Sequence, residues 1–373
     1  MNVGFYTSIR EYNEKKKEFK DAINNVIENG ISTLGSEVKK FETEVSNYTG
    51  AKHAIGVASG TDALVIGSDV LGYKKGKEII TSPFTFLAST SCIAKHEGIP
   101  VFIDIDGETF NMDTTKIEEK VTKNTAGILP IHLFSQMVNM DDIMHIAKRH
   151  NLTVLEDAAE AFGMKWKGKG DTYRHAGTIG DMGIFSFFPT KTLGGYGDGG
   201  MAVTNDDKLG ELMRIYRVHG AGVKYHYDYI GYNSRLDTIQ AAILSVKLKY
   251  IDNSIAKRET INGWYRERLK DVEEIKFTKI KGEQKPVYYV FNILCEKRDE
   301  LNQYLRTNGI GTSIYYPIPL HLQNCFSYLG YKKGDFPVAE RVCEEILALP
   351  IYPEITEDEV DYVCEKIREF YKK

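Results

Sequence analysis

The strongest constraint on the fold of this chain is a rhythm in its N-terminal half. Short apolar runs alternate with helical patterns: HAIGVAS precedes TDALVIGSDVLG, EIITS precedes TFLASTSCIAKHEG, VFIDID precedes TTKIEEKV, GILPIHLF precedes MDDIMHIAKRH, and TVLEDAA follows. Repeated βα units of this kind bury their strands in a mostly parallel sheet with helices on both faces, wound right-handed. Ahead of the rhythm, Val38, Phe41, Val45 and Tyr48 recur at helical spacing, which predicts an amphipathic helix with Ser36 as N-cap and Gly50 as its stop.

The next segment, FSFFPTKTLGGYGDGGMAV, ends an apolar stretch at Pro189, presents Lys191, and then places five glycines between residues 194 and 200. Glycine inside a regular element costs roughly 0.5–1 kcal/mol against alanine, so this density marks a place where backbone bends or lets a ligand close. The strand-like LTVLE delivers Asp157 at its C-terminal end, where α/β sheets bind ligands. A lysine amine and a carboxylate together suit pyridoxal phosphate: the amine condenses with the aldehyde as a Schiff base, and the carboxylate keeps the pyridine nitrogen protonated. SGTDAL, residues 59–64, opens a helix whose first N–H groups, around Gly60 and Thr61, suit a phosphate, and the Ser186 hydroxyl lies five residues before Lys191. Phe84 and Phe86 come at a strand end where a ring can cover a planar cofactor. Glu160, three residues after Asp157, can turn toward its phenolic oxygen if the backbone there is helical.

Beyond the glycine-rich turn, DKLGELMRIYRV reads as a helix and a long helical pattern runs from Leu236 to Leu269. The order then changes to a strand (PVYYVFNILCE), a helix (RDELNQYLRTNG), a strand (IGTSIYYPIP) and two helices, the last opened by a capping box from Thr356 to Glu359. At 373 residues the chain exceeds one ordinary core, and the expected division is a large α/β domain over 1–250 and a small α+β domain over 251–373. The net charge of −4, from 48 basic and 52 acidic residues mixed along the chain, speaks against nucleic acid or an anionic membrane as partner. Five scattered cysteines with no CxxC pair argue against a disulfide framework or a zinc site, and His145 and His150 are too far round a helix to share a metal. With no apolar leader or spanning segment, the expected location is cytoplasmic and no metal is expected.

Six segments in order, SGTDAL, the strand-end aromatic, EDAA, FSFFPTK with GGYGDGG, YNSRLDTIQAA and YPIPLHLQ, make the chain resemble the DegT/DnrJ/EryC/StrS sugar aminotransferases, from about residue 10 to its end. The resemblance implies an aspartate aminotransferase-like fold and assigns roles: Lys191 carries the cofactor, Asp157 pairs with the pyridine nitrogen, Phe86 rather than Phe84 stacks on the ring, and Gly60, Thr61 and Ser186 hold the phosphate. It also implies that Asn233 reaches the phosphate of a neighbouring subunit, making a homodimer with shared sites. Asn233 equally suits a cap before the long helix, and the loop KYHYDYIGYN suits either the partner's site or dimer packing. Glu160 stands where the family usually has Gln, and Phe162 where it commonly has His.

The reaction so implied is a ping-pong transfer from L-glutamate to a nucleotide-linked keto-deoxysugar, with Lys191 moving the proton and burial expected to lower its pKa from about 10.4. HLFSQMVNM is similar to the HLYGQ segment of enzymes aminating carbon 3, although Ser135 replaces the glycine, so the expected acceptor is dTDP-3-keto-6-deoxyhexose, with a carbon-4 keto-sugar as alternative. Arg235, Tyr316 and His321 are the candidate sugar contacts. A non-catalytic regulator or sensor on the same fold is the alternative from another class; a dehydrogenase is disfavoured because no GxGxxG follows the first strand.

Overall fold

The computed structural model describes residues 1–372, and its centre is a seven-stranded sheet. The strands are β1 (His53–Val57), β2 (Glu78–Thr81), β3 (Ile99–Phe102), β4 (Thr125–Ile128), β5 (Thr153–Asp157), β6 (Met182–Ser186) and β7 (Gly200–Thr204), in the spatial order β1-β7-β6-β5-β4-β2-β3. β2 runs parallel to β3 and β4, β4 to β5, and β5 to β6, while β7 is antiparallel to both β6 and β1. The C-terminal ends of β1, β2, β5 and β6 therefore open on one edge, beside the start of β7.

Successive side chains on a strand point to opposite faces, and both faces here are apolar. Leu155 and Val154 of β5, Ile184 and Phe185 of β6, and Ala202 and Val203 of β7 divide between two clusters. Helices Gly60–Val70, Leu87–Ala94 and Asp207–Tyr216 complete the first, and Ser36–Thr49 and Met140–His150 complete the second. The helix Ser36–Thr49 buries Val38, Phe41 and Val45 as expected and stops at Gly50 in the left-handed conformation, φ 79°. Its N-cap is Gly35 and not Ser36, which is already helical.

The pattern from Leu236 to Leu269 divides into Thr238–Leu248 and Ile251–Leu269. The first piece packs under the large sheet through Ala241 and Leu244, whereas Ile261, Tyr265 and Leu269 of the second face a separate cluster, so the axis must turn. That cluster surrounds an antiparallel sheet of β8 (Ile275–Phe277), β9 (Phe291–Cys295) and β10 (Ile346–Leu349), with the Tyr265 and Phe291 rings stacked at 4.7 Å. β10 is a strand that the sequence reading of this region, a strand followed by two helices, does not include. The predicted strand 310–319 is instead an extended segment that meets the sheet at the single bridge Ser313–Ala348. Val3 from the N-terminus also joins this cluster. The capping box of Thr356 with Glu359 is formed. Among the described residues no helix is long and apolar enough to cross a membrane.

Candidate active site

The open edge of the large sheet holds a cleft of about 400 Å³. Eight of the residues singled out in the sequence line it: Gly60, Thr61, Phe86, Asp157, Glu160, Ser186, Lys191 and Tyr316. They come from the ends of four strands and from a segment some 125 residues beyond Lys191, which only the tertiary fold brings together.

Lys191 stands on the β6–β7 connection. Its own N–H donates to Phe188 O at 2.9 Å, Gly195 N–H donates to Phe187 O at 2.8 Å, and Gln240 Oε1 accepts from Tyr196 N–H at 2.9 Å. None of the five glycines between 194 and 200 adopts a left-handed φ. They provide room instead: a Cβ on Gly194 would lie 2.4 Å from Pro189 O, and one on Gly200 would lie 2.3 Å from the Ser59 carbonyl. The same is true of Gly60, whose Cβ would come within 2.7 Å of Ser186 Cβ. Ser59 caps the helix Gly60–Val70 by accepting from Asp62 N–H at 3.0 Å, so the first-turn N–H groups are presented to the cleft beside Ser186.

Nζ of Lys191 is 3.2 Å from Glu160 Oε1 and 4.4 Å above the centre of the Tyr289 ring. The other Glu160 oxygen accepts from Phe134 N–H at 3.2 Å. Burial pulls the Lys191 ammonium down, but Glu160 foremost, with Tyr289 and Asp157, outweighs it, and the pKa stands above the ordinary lysine value. The expected depression by burial is thus reversed in the protein alone, because a carboxylate shares the pocket. Asp157 is 4 % exposed; Oδ2 accepts from Ser89 Oγ at 2.7 Å and Oδ1 from Ala159 N–H at 3.1 Å. Burial pushes its carboxyl up against these two bonds.

Phe86 is exposed on the rim, its ring 6.4 Å from that of Tyr316, whereas Phe84 is wholly buried against Phe110, Phe134 and Tyr316. Three candidates lie off the cleft. His321 is one: its ring is fully buried, bonded to Glu340 at 3.0 Å and packed on Phe336 at 4.8 Å, and it does not line this cleft. Burial pushes its imidazole pKa down despite Glu340. Asn233 and Arg235 are the others: Asn233 is exposed and accepts from Arg235 Nη2 at 2.7 Å, and neither lines the cleft. Between them Ser234 donates to Asp62 Oδ2 at 2.7 Å, so this segment is tied to the first turn of the helix Gly60–Val70. Ser135 needs no glycine, since the left-handed residue of HLFSQ is Phe134, φ 64°.

Sequence reasoning missed Ser89, Thr85, Tyr289 and Tyr315. Ser89 stands among three consecutive hydroxyl residues, Ser89, Thr90 and Ser91, which gave no reason to single it out, and Tyr289 is far from Lys191 in the chain. The cleft fits pyridoxal phosphate on its own terms: a partly buried amine, a buried carboxylate in the same wall, and a glycine cradle at a helix N-terminus that a Cβ would fill. Among the described residues no cluster of side chains has the makings of a metal site.

The fold and the cleft define a pyridoxal-phosphate-dependent aminotransferase. The chain belongs to the DegT/DnrJ/EryC1/StrS aminotransferase family, which its residues 13–368 match. It is 44% identical over 375 residues to a pleiotropic regulatory protein of Geobacillus stearothermophilus, covering 100% of this chain and 99% of that one. It is 38% identical over 366 residues to dTDP-3-amino-3,6-dideoxy-alpha-D-galactopyranose transaminase of Aneurinibacillus thermoaerophilus, covering 98% and 99%. The crystal structure of S. venezuelae DesV in complex with a ketimine intermediate superposes with a TM-score of 0.95 at 34% identity, covering 100% of this chain and 99% of DesV.

Proposed function

We propose that this aminotransferase moves the amino group of L-glutamate to a nucleotide-linked keto-deoxysugar, dTDP-3-keto-6-deoxyhexose, giving the dTDP-3-amino-3,6-dideoxyhexose. The observation that carries the chemistry is the meeting of Lys191, Asp157 and the Gly60 cradle in one cleft. The named carbon-3 transaminase at 38% identity supports the sugar. In this reading Gly60, Thr61 and Ser186 bind the phosphate, Phe86 covers the ring, Asp157 keeps the ring nitrogen protonated, and Lys191 carries the proton between the amino-acid α-carbon and the cofactor. When bound, the cofactor supplies an electron sink for the carbanion formed on proton loss. Glu160 orients Nζ and accepts its charge. Tyr316 and, from the neighbouring subunit, Arg235 are the remaining sugar contacts.

The charges support a shared site in a homodimer. The charged residues lining the cleft are Lys191 against Asp157, Glu160 and Asp198, yet the cofactor, glutamate and a nucleotide-sugar are all anions. A second copy supplies the missing cation and the Asn233 amide through the segment 221–233, which begins as a hairpin of Ala221–Val223 with His226–Tyr227 and whose Val223, Tyr225 and Ile230 are 67%, 74% and 95% exposed. The name of the 44% identical relative favours a second reading, a regulator on this fold; the intact Lys191 and Asp157 speak against loss of the chemistry. The deciding experiment is a product assay with L-glutamate and a panel of dTDP- and UDP-linked 3-keto and 4-keto sugars. Turnover of a dTDP-linked 3-keto sugar is expected; amination at carbon 4 would replace the sugar assignment, and no turnover on any acceptor would favour the regulator.

A further inference from the structure

Asp157 does not stand alone in the cleft wall. Ser89, on the helix Leu87–Ala94 that follows Phe86, is 1 % exposed and donates to Asp157 Oδ2 at 2.7 Å. Its oxygen is also 2.9 Å from Thr85 Oγ1, itself 2 % exposed. A serine hydroxyl has one proton. As the Ser89 proton goes to the carboxylate, the proton in the second contact must come from Thr85, so the relay has one direction: Thr85 to Ser89 to Asp157.

We propose that Ser89, oriented by Thr85, is a positioning residue for the cofactor chemistry: it holds the Asp157 carboxylate ionised and aimed into the cleft before the cofactor arrives. This rests on the reading that Asp157 meets the ring nitrogen. A carboxylate buried without donors takes up a proton, and a protonated Asp157 offers a ring cation no charge. The backbone N–H of Ala159 supplies one donor to Oδ1, and Ser89 is the side-chain donor to Oδ2. The other titratable groups around Asp157 are Lys191 from the β6–β7 connection, Glu160 from the following loop, Cys92 from the Ser89 helix and Tyr316 from the C-terminal segment. Lys191 favours the ionised form, and Glu160 opposes it.

The consequence is a limit on cofactor binding at low pH. Below the pKa of Asp157 in the free protein, binding must displace a proton, so affinity falls as pH falls. A hydrogen bond to a charged group contributes about 1.5–3 kcal/mol, so losing it moves this limb upward by about one to two pH units. The test titrates cofactor-free protein with pyridoxamine 5′-phosphate, which has no aldehyde to condense with Lys191, from pH 4.5 to 8.5 and follows quenching of tryptophan fluorescence, for the native chain, Ser89→Ala, Thr85→Val and Asp157→Asn. Ser89→Ala is expected to raise the limb by about one unit or more, Thr85→Val to raise it by less in the same direction, and Asp157→Asn to remove it. A native-like limb in Ser89→Ala, with the limb gone in Asp157→Asn, overturns the inference and leaves the reading of Asp157 standing. A limb that survives in Asp157→Asn overturns the reading itself. Should Ser89→Ala fail to fold, Ser89→Cys, of similar size and a weaker donor, gives the same comparison with the same signs.

Discussion

Replacing Glu156 by Gln tests whether the strand that carries Asp157 is held from behind. Glu156 is wholly buried on β5, one residue before Asp157. Oε1 accepts from Ile179 N–H at 2.7 Å and Gly180 N–H at 2.6 Å, and Oε2 accepts from Gly177 N–H and His132 Nε2, each at 2.9 Å. His132 accepts from Val138 N–H on Nδ1, so Nε2 is the ring nitrogen that donates to Glu156. Whichever way a glutamine is turned, its NH₂ faces two donors. Two charge-assisted bonds are lost and two buried N–H groups are orphaned, a cost of about 3–6 kcal/mol at 1.5–3 kcal/mol each. Unfolding entropy for a chain of 373 residues is about 0.8 kcal/mol per kelvin, so Tm should fall by about 4–8 °C. Burial raises the Glu156 pKa, but His132 and the Gly180 and Gly177 amides outweigh it and leave it below the ordinary value. A depressed carboxylate contributes stability that is present above its unfolded pKa, about 4.3, and lost as pH falls through the folded value. The Tm difference between the two proteins, measured by calorimetry, should therefore be full at pH 7 and narrow below about pH 4. A drop of under 1 °C at pH 7, or a difference independent of pH, would refute this account of the loop.

Four further outcomes are expected. Lys191→Ala should abolish the visible absorption of the bound cofactor and glutamate turnover while leaving the fold intact by circular dichroism; retained turnover removes Lys191 from the mechanism. Glu160→Gln takes away the carboxylate that holds the Lys191 pKa up, so burial prevails and the pH profile for cofactor capture by the cofactor-free protein should move to lower pH; an unmoved profile means that the ion pair does not control the amine. Gly60→Ala puts a Cβ 2.7 Å from Ser186 Cβ and 3.1 Å from its Cα, an overpacking cost of about 1–3 kcal/mol, and should lower Tm and weaken cofactor affinity together, as read by calorimetry and titration; unchanged affinity separates the cradle from the phosphate. Mixed Lys191→Ala and Asn233→Ala subunits should recover activity beyond either parent, since one of the two sites in a hybrid dimer is then whole; no gain argues against a shared site.

Local patterns made much of this protein legible. The βα rhythm implies the parallel sheet because its period and its turn residues are properties of neighbours in the chain, and Lys191, Asp157, Gly60 and Ser186 stand at strand ends that such a sheet must gather on one edge. β10 was not legible, because ILAL is as apolar as a buried helix turn and only its pairing with β9 makes it a strand. Nor was the burial of His321, which Glu340 and Phe336 enclose from another part of the C-terminal segment.

The sequence by itself determined the chemistry, since a lysine and a carboxylate at the ends of two predicted strands are chosen by residue type and spacing. The tertiary structure decided their electrostatic state. Lys191 is held as an ammonium by Glu160, and Asp157 is held by Ser89 from a helix 68 positions away, because long-range contacts set burial and charge and leave no periodic trace in the chain.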